Sequence, residues 1–186
     1  YVNSVGAGPQ RAYTEIWKWN GEVITITDKI VGPTVARMHL VHDGDAKLEQ
    51  GSINEAINFY KQAIDDKNLP SQFVDPNKDY KKEVVKAYAT FKLVVAQTVE
   101  GNIAEAQKYL KQLLAENRQD TEGYLFVSLG QTFWDNYSQT NNVNLACETV
   151  ITLAKATADI PFVLEIGYQN PIYETEDICR LPATSK

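Results

Sequence analysis

One segment of this chain occurs twice. GSINEAINFYKQAID, from Gly51 to Asp65, returns fifty residues later as GNIAEAQKYLKQLLA, from Gly101 to Ala115. Both copies read Gly-x-Ile-x-Glu-Ala, with Lys-Gln beginning five residues after the Ala. A recurring amphipathic segment that opens on glycine predicts the second helix of a repeated helical hairpin. No single hairpin buries both of its faces, so such units stack. Gly51 and Gly101 are expected where two antiparallel helices reverse, and Ala56 and Ala106 one turn into the second helix, where a small side chain admits the first. Tyr60 and Leu110 follow four residues later and fill the groove between neighbours.

The helical period extends on both sides of these copies. Helices are predicted from Thr34, as N-cap, through Gln50, from Ser52 to about Asp66, from about Asp79 to Glu100, over Ile103–Glu116, Glu122–Tyr137 and Val143–Ala158. Ser52 with Glu55 three residues on predicts a capping box. The second helix aligns Ile53, Ala56, Ile57, Tyr60, Ala63 and Ile64 on one face. The third aligns Val84, Val85, Tyr88, Phe91 and Val95. The pattern is helix–turn–helix three times over.

Residues 11–31 are different. RAYTEIWKW and EVITITDKI flank Asn20-Gly21, a two-residue hairpin signal. Counted outward from that turn, Trp19 faces Glu22, Trp17 faces Ile24 and Glu15 faces Ile26. Tyr13, Trp17, Trp19, Ile24 and Ile26 then share one face. A lone two-stranded hairpin is marginal in water, so it is expected to rest on the helical body or to continue another sheet.

The helical residues resemble the tetratricopeptide (TPR) repeat family. Phe126-x2-Leu129-Gly130-x2-Phe133 matches its first-helix motif, and Val143, Ala146 and Val150 take the second-helix places held earlier by Ile103, Ala106 and Leu110. In the first pair Leu40, Gly44, Gly51, Ala56 and Tyr60 fall at family positions. The steps from Ala56 to Ala106 (50) and from Ala106 to Ala146 (40) exceed the family's 34-residue unit. The proline-containing loop 67–79 accounts for the first excess. The resemblance implies a mostly α fold: a right-handed α-α superhelix of about three hairpins over residues 32–158. Residues 1–31 form an N-terminal tail and β-hairpin, and residues 159–186 a C-terminal capping tail.

The resemblance further implies a non-catalytic interaction scaffold that binds a peptide or partner domain along its first helices, with no cofactor. Trp134 and Tyr137 are candidate partner contacts. A rival reading makes the chain a spacer supporting an upstream β domain of the same precursor, since the RAYTEIWKWNGE hairpin resembles the last strands of a secreted bacterial β-repeat domain. The chain opens at Tyr1 without Met, which fits a segment of a longer precursor.

Chemistry-bearing patterns are few. His39, His42, Asp43 and Asp45 cluster in MHLVHDGDA, and a metal-dependent enzyme built on them is a second rival. They do not form H-E-x-x-H, and the chain has no other histidine. No nucleophile elbow or phosphate loop is present. A net charge of −6 argues against nucleic acid as a partner. No apolar run reaches the roughly 20 residues of a membrane span. Cys147 and Cys179 are either two buried thiols or one disulfide tying the tail to the body, and the disulfide would place the chain outside the cytoplasm.

Overall fold

The computed structural model describes residues 11–70, 82–119, 121, 123–157 and 174–182. The chain is mostly helical behind an N-terminal β-ribbon. Among the described residues, two antiparallel strands, β1 (Tyr13–Trp19) and β2 (Ile24–Val31), precede six helices: α1 (Arg37–Glu49), α2 (Ile53–Asp65), α3 (Lys82–Val99), α4 (Ile103–Glu116), α5 (Tyr124–Thr140) and α6 (Val143–Ala156). A short 3-10 helix, Thr175–Cys179, follows. The start of the expected third helix, at 79–81, and most of the expected tail lie outside the described residues.

The ribbon differs in register from the expected two-residue turn. Trp19 pairs with Ile24 and Trp17 with Ile26, two residues from the predicted alignment. The cause is the Asn20 side chain. Its Oδ1 accepts from the backbone N–H of Glu22 and of Val23, both at 3.0 Å. This Asx-type closure makes a four-residue loop, with only Gly21 at positive φ (+105°). Because side chains alternate with period two, a slip of two keeps the residues between the turn and Thr27 on their faces. The expected face of Tyr13, Trp17, Trp19, Ile24 and Ile26 therefore survives the change. Thr27 is an extra residue in β2, between partners of Ile16 and Trp17, and its hydroxyl donates to the Ile16 carbonyl at 3.1 Å.

The helices pack mainly on their neighbours in sequence, α1 with α2, α3 with α4, and α5 with α6, and α2 packs on α3 as closely as α5 on α6. Successive pairs join through α2 on α3 and through α5 against both α3 and α4. Gly51 and Gly101 close the first two pairs at φ +78° and +83°. Ser52 N–H donates to Lys47 O and Asn102 N–H to Gln97 O, the reversed bonds of a left-handed helix stop. Asn141 (φ 50°) does the same for α5, carrying that helix to Thr140, past the expected end at Tyr137.

Two predicted caps are replaced. α1 begins at Arg37, three residues after the expected Thr34 cap, whose hydroxyl instead accepts from Arg11 at 2.5 Å. Ser52 is the N-cap of α2 but its side chain makes no cap bond. Glu55 pairs with Lys47 at 2.7 Å rather than closing the box. Arg37 supplies a device the sequence reading missed. Fully buried, its guanidinium donates to the carbonyls of Ala63 and Asp66, and to Leu69 O at 3.1 Å. A cation there satisfies the orphan carbonyls at the C-terminal end of α2.

α3 is the centre. From Val84 to Thr98 every residue except Lys86 is buried, so the helix is enclosed on all sides rather than along one stripe. An all-round apolar helix is a buried helix. α3 touches α1, α2, α4, α5 and α6.

Candidate functional site

The repeat residues other than Gly51 and Gly101, which are exposed at the helix reversals, lie in the interior. Ala56, Ala106 and Ala146 are fully buried, as are Tyr60, Leu129, Phe126 and Phe133, with Leu40 and Leu110 nearly so. Gly44 backs onto the Tyr60 ring: a Cβ there would lie 2.5 Å from Tyr60 Cε1. Gly130 faces Leu113, where a Cβ would lie 2.6 Å from Cδ2. Gly44 lets α1 and α2 approach more closely than alanine permits, whereas Gly130 meets only the tip of a leucine side chain. Trp134 and Tyr137 are half-buried and packed against the core, their rings 5.9 Å apart. They offer less free surface than the ribbon.

The Asp45 carboxylate gathers four elements. It accepts from Tyr60 OH at 2.7 Å and Tyr88 OH at 3.0 Å. Lys92 Nζ lies 3.2 Å away, with its side chain only 1% exposed. Sequence reading passed over Lys92, whose signal was a lysine set inside an apolar run. Its ammonium also reaches the carbonyls of Asp177 and Ile178, each at 3.5 Å. Three ammonium donors thus face three acceptors, which satisfies the buried head group. The network joins α1, α2 and α3 to the C-terminal segment.

That segment is fastened along its length. Cys179 forms a disulfide with Cys147 of α6. Glu176 pairs with Lys155 at 2.6 Å, and Arg180 with Glu49 at 3.4 Å. Ile178 is fully buried. Residues 174–182 thus lie against α6 and run on over α3 to the end of α1. They occupy part of the first-helix surface expected to take a partner.

The histidine cluster is dispersed among other contacts. His39 is buried and its Nδ1 accepts from Val35 N–H at 3.3 Å. Asp43 is bound by Arg11 at 2.7 and 2.8 Å. Burial pushes the His42 pKa down to about 4, opposed by Asp45 and Asp43 and assisted by His39 and Arg11. Among the described residues, no group of three or more His, Cys, Asp or Glu is placed to hold a metal. None of the described helices is long and apolar enough to cross a membrane.

The ribbon is the outstanding surface. Among the described residues, nine large apolar side chains are exposed on it, against four (Val35, Leu114, Tyr124, Leu145) elsewhere. Trp17 is 56% exposed and Trp19 59%. The ribbon joins the body at its base, where Arg11 grips Asp43 and Thr34, and Gly32 N–H donates to Ala12 O at 2.7 Å. A Cβ on Gly32 would lie 2.8 Å from that same oxygen.

No protein-family model matches this chain, and no curated protein or solved structure matches it.

Proposed function

We propose that this chain is a non-catalytic protein-interaction scaffold, a TPR-like stack of helical hairpins that holds a β-ribbon out toward a protein partner. The observation that carries this reading is the concentration of exposed apolar side chains on β1 and β2. Monomeric proteins rarely leave such a contiguous patch uncovered. The enclosed α3 and the interlocked helices suit a rigid support. Peptide binding along the first helices is a second seat for a partner, over whatever part residues 174–182 leave free. The buried Cys147–Cys179 disulfide supports an extracytoplasmic location.

The ribbon also favours a second reading, in which the stack supports a β domain that the two strands complete. Two strands alone are marginal and three or more are stable. Expression of residues 32–186 tests the choice. A scaffold predicts a fragment that folds cooperatively with the helical signature of the full chain. A fragment that misfolds favours the support module, with helices dependent on the β part.

A further inference from the structure

The occupant of the ribbon can be narrowed further, on the reading that the chain is an interaction scaffold. We infer that the apolar face of the ribbon pairs with the same face of a second copy of this chain.

One face of the ribbon carries Tyr13, Trp17 and Trp19 from β1 and Ile24, Ile26 and Val31 from β2, all about half exposed. The opposite face is mixed, with Thr14, Ile16, Lys18, Thr25, Asp28 and Ile30. The partner therefore belongs on the first face. Aromatic side chains bury about 150–250 Å² each, so these six half-exposed residues offer on the order of 600 Å² per chain. Two copies then bury about 1,200 Å², the lower bound of a standard-size interface.

Self-pairing also needs a self-complementary patch, because a two-fold interface sets one surface against itself. Glu15 and Lys29 stand opposite each other in the register on this same face. The patch thus carries one acid and one base. A two-fold axis can set each against its opposite in the other copy, with no like charges forced together. Lys29 already lies over the Tyr13 ring, 4.1 Å from its centroid, which positions it on that face.

Stacking face on face is favoured over adding strand to strand. Edge pairing leaves both tryptophans in water. The β2 edge is also interrupted by the extra Thr27, a feature that discourages edge association. Among the described residues the ribbon is tied to the body at its base through Arg11, and its face residues stay about half exposed.

Sedimentation velocity of the full oxidised chain between about 1 and 200 µM tests the inference, the affinity at a given area being set by the quality of the anchors. The expected result is a mass that climbs from 20.9 kDa toward twice that value. Trp17→Ser/Trp19→Ser is expected to remain monomeric across the range with unchanged helical circular dichroism. Ile16→Lys, on the opposite face, is expected to dimerise like the parent. A parent that stays at 20.9 kDa throughout overturns the inference, as does a double variant that dimerises equally well. Loss of dimer in Ile16→Lys alone overturns the face assignment. A monomeric parent whose ribbon is protected only when a different protein is added makes that protein the occupant and overturns self-pairing. None of these outcomes affects the scaffold reading, which fails separately if residues 32–186 do not fold.

Discussion

Lys92 Nζ sits 3.2 Å from Asp45 Oδ1, joining α3 to α1 inside the protein. The two ends of this pair are not equivalent. Lys92 is enclosed, whereas Asp45 is 20% exposed and holds two tyrosine hydroxyls as well.

Removing the carboxylate therefore costs more than removing the ammonium. Asp45→Asn leaves a buried cation facing only carbonyls, and an uncompensated buried charge costs about 3–5 kcal/mol. We expect the lower end, about 3 kcal/mol, because water reaches Asp45. Lys92→Met keeps the volume and leaves a carboxylate with two donors, but takes the ammonium from the Asp177 and Ile178 carbonyls, for about 2 kcal/mol. Urea denaturation of both single variants and the double variant checks the order. Equal costs would show that the pair is not asymmetric.

Gly44 and Gly130 are both in close contact, yet their alanine variants should part. The Gly44 contact is the Tyr60 ring, which its hydroxyl bond to Asp45 holds in place. Gly44→Ala is expected to cost about 2 kcal/mol, within the usual overpacking range. Gly130 meets the tip of a leucine, which can rotate, and alanine gains up to about 1 kcal/mol of helix propensity. Gly130→Ala is expected to be near neutral. Thermal unfolding of the two variants decides it.

His42 makes the fold sensitive to acid. Its pKa falls from 6.5 to about 4 on folding, so the unfolded chain takes up the proton first as pH drops. The stability linked to His42 is complete above about pH 6.5, declines between 6.5 and about 4, and is constant below. The loss is at most about 3 kcal/mol, and less where solvent screens the ring. Denaturation midpoints measured across this window should fall with pH, and His42→Leu should remove that part of the slope.

The disulfide closes a sequence separation of 32 residues. Loops of that order gain about 3–4 kcal/mol in the chain-entropy account. Cys147→Ala/Cys179→Ala is expected to lose about that much and to raise hydrogen exchange around Cys179 and at the end of α1, where Arg180 meets Glu49. Exchange that rises at Cys179 alone would mean the segment is held by its own contacts.

The sequence disclosed the helices and their reversals because period, glycine and small residues all act locally. The α4 bounds coincide with the expected ones, and the positive φ of Gly51 and Gly101 is what a glycine at a helix stop provides. Where a side chain had a choice of partner, the local rule failed. Asn20 spent its oxygen on two backbone amides and lengthened the turn. Thr34 went to Arg11 and Glu55 to Lys47, so neither caps a helix. The all-round burial of α3 was present in its apolar content, but a one-stripe reading concealed it. The role of Lys92 depends on the C-terminal segment, 85 residues further on, lying over α3. No window on the sequence contains both.

Native-state hydrogen exchange of the full chain is the most direct test of a rigid helical support carrying a separate ribbon. In dilute solution, α3 amides should be the slowest, opening only with the whole protein, and ribbon amides should be among the fastest. Raising the concentration should slow the ribbon and leave the helices unchanged. Ribbon amides as slow as those of α3 in the dilute chain, or α3 amides faster than those of α2 and α4, would contradict the account.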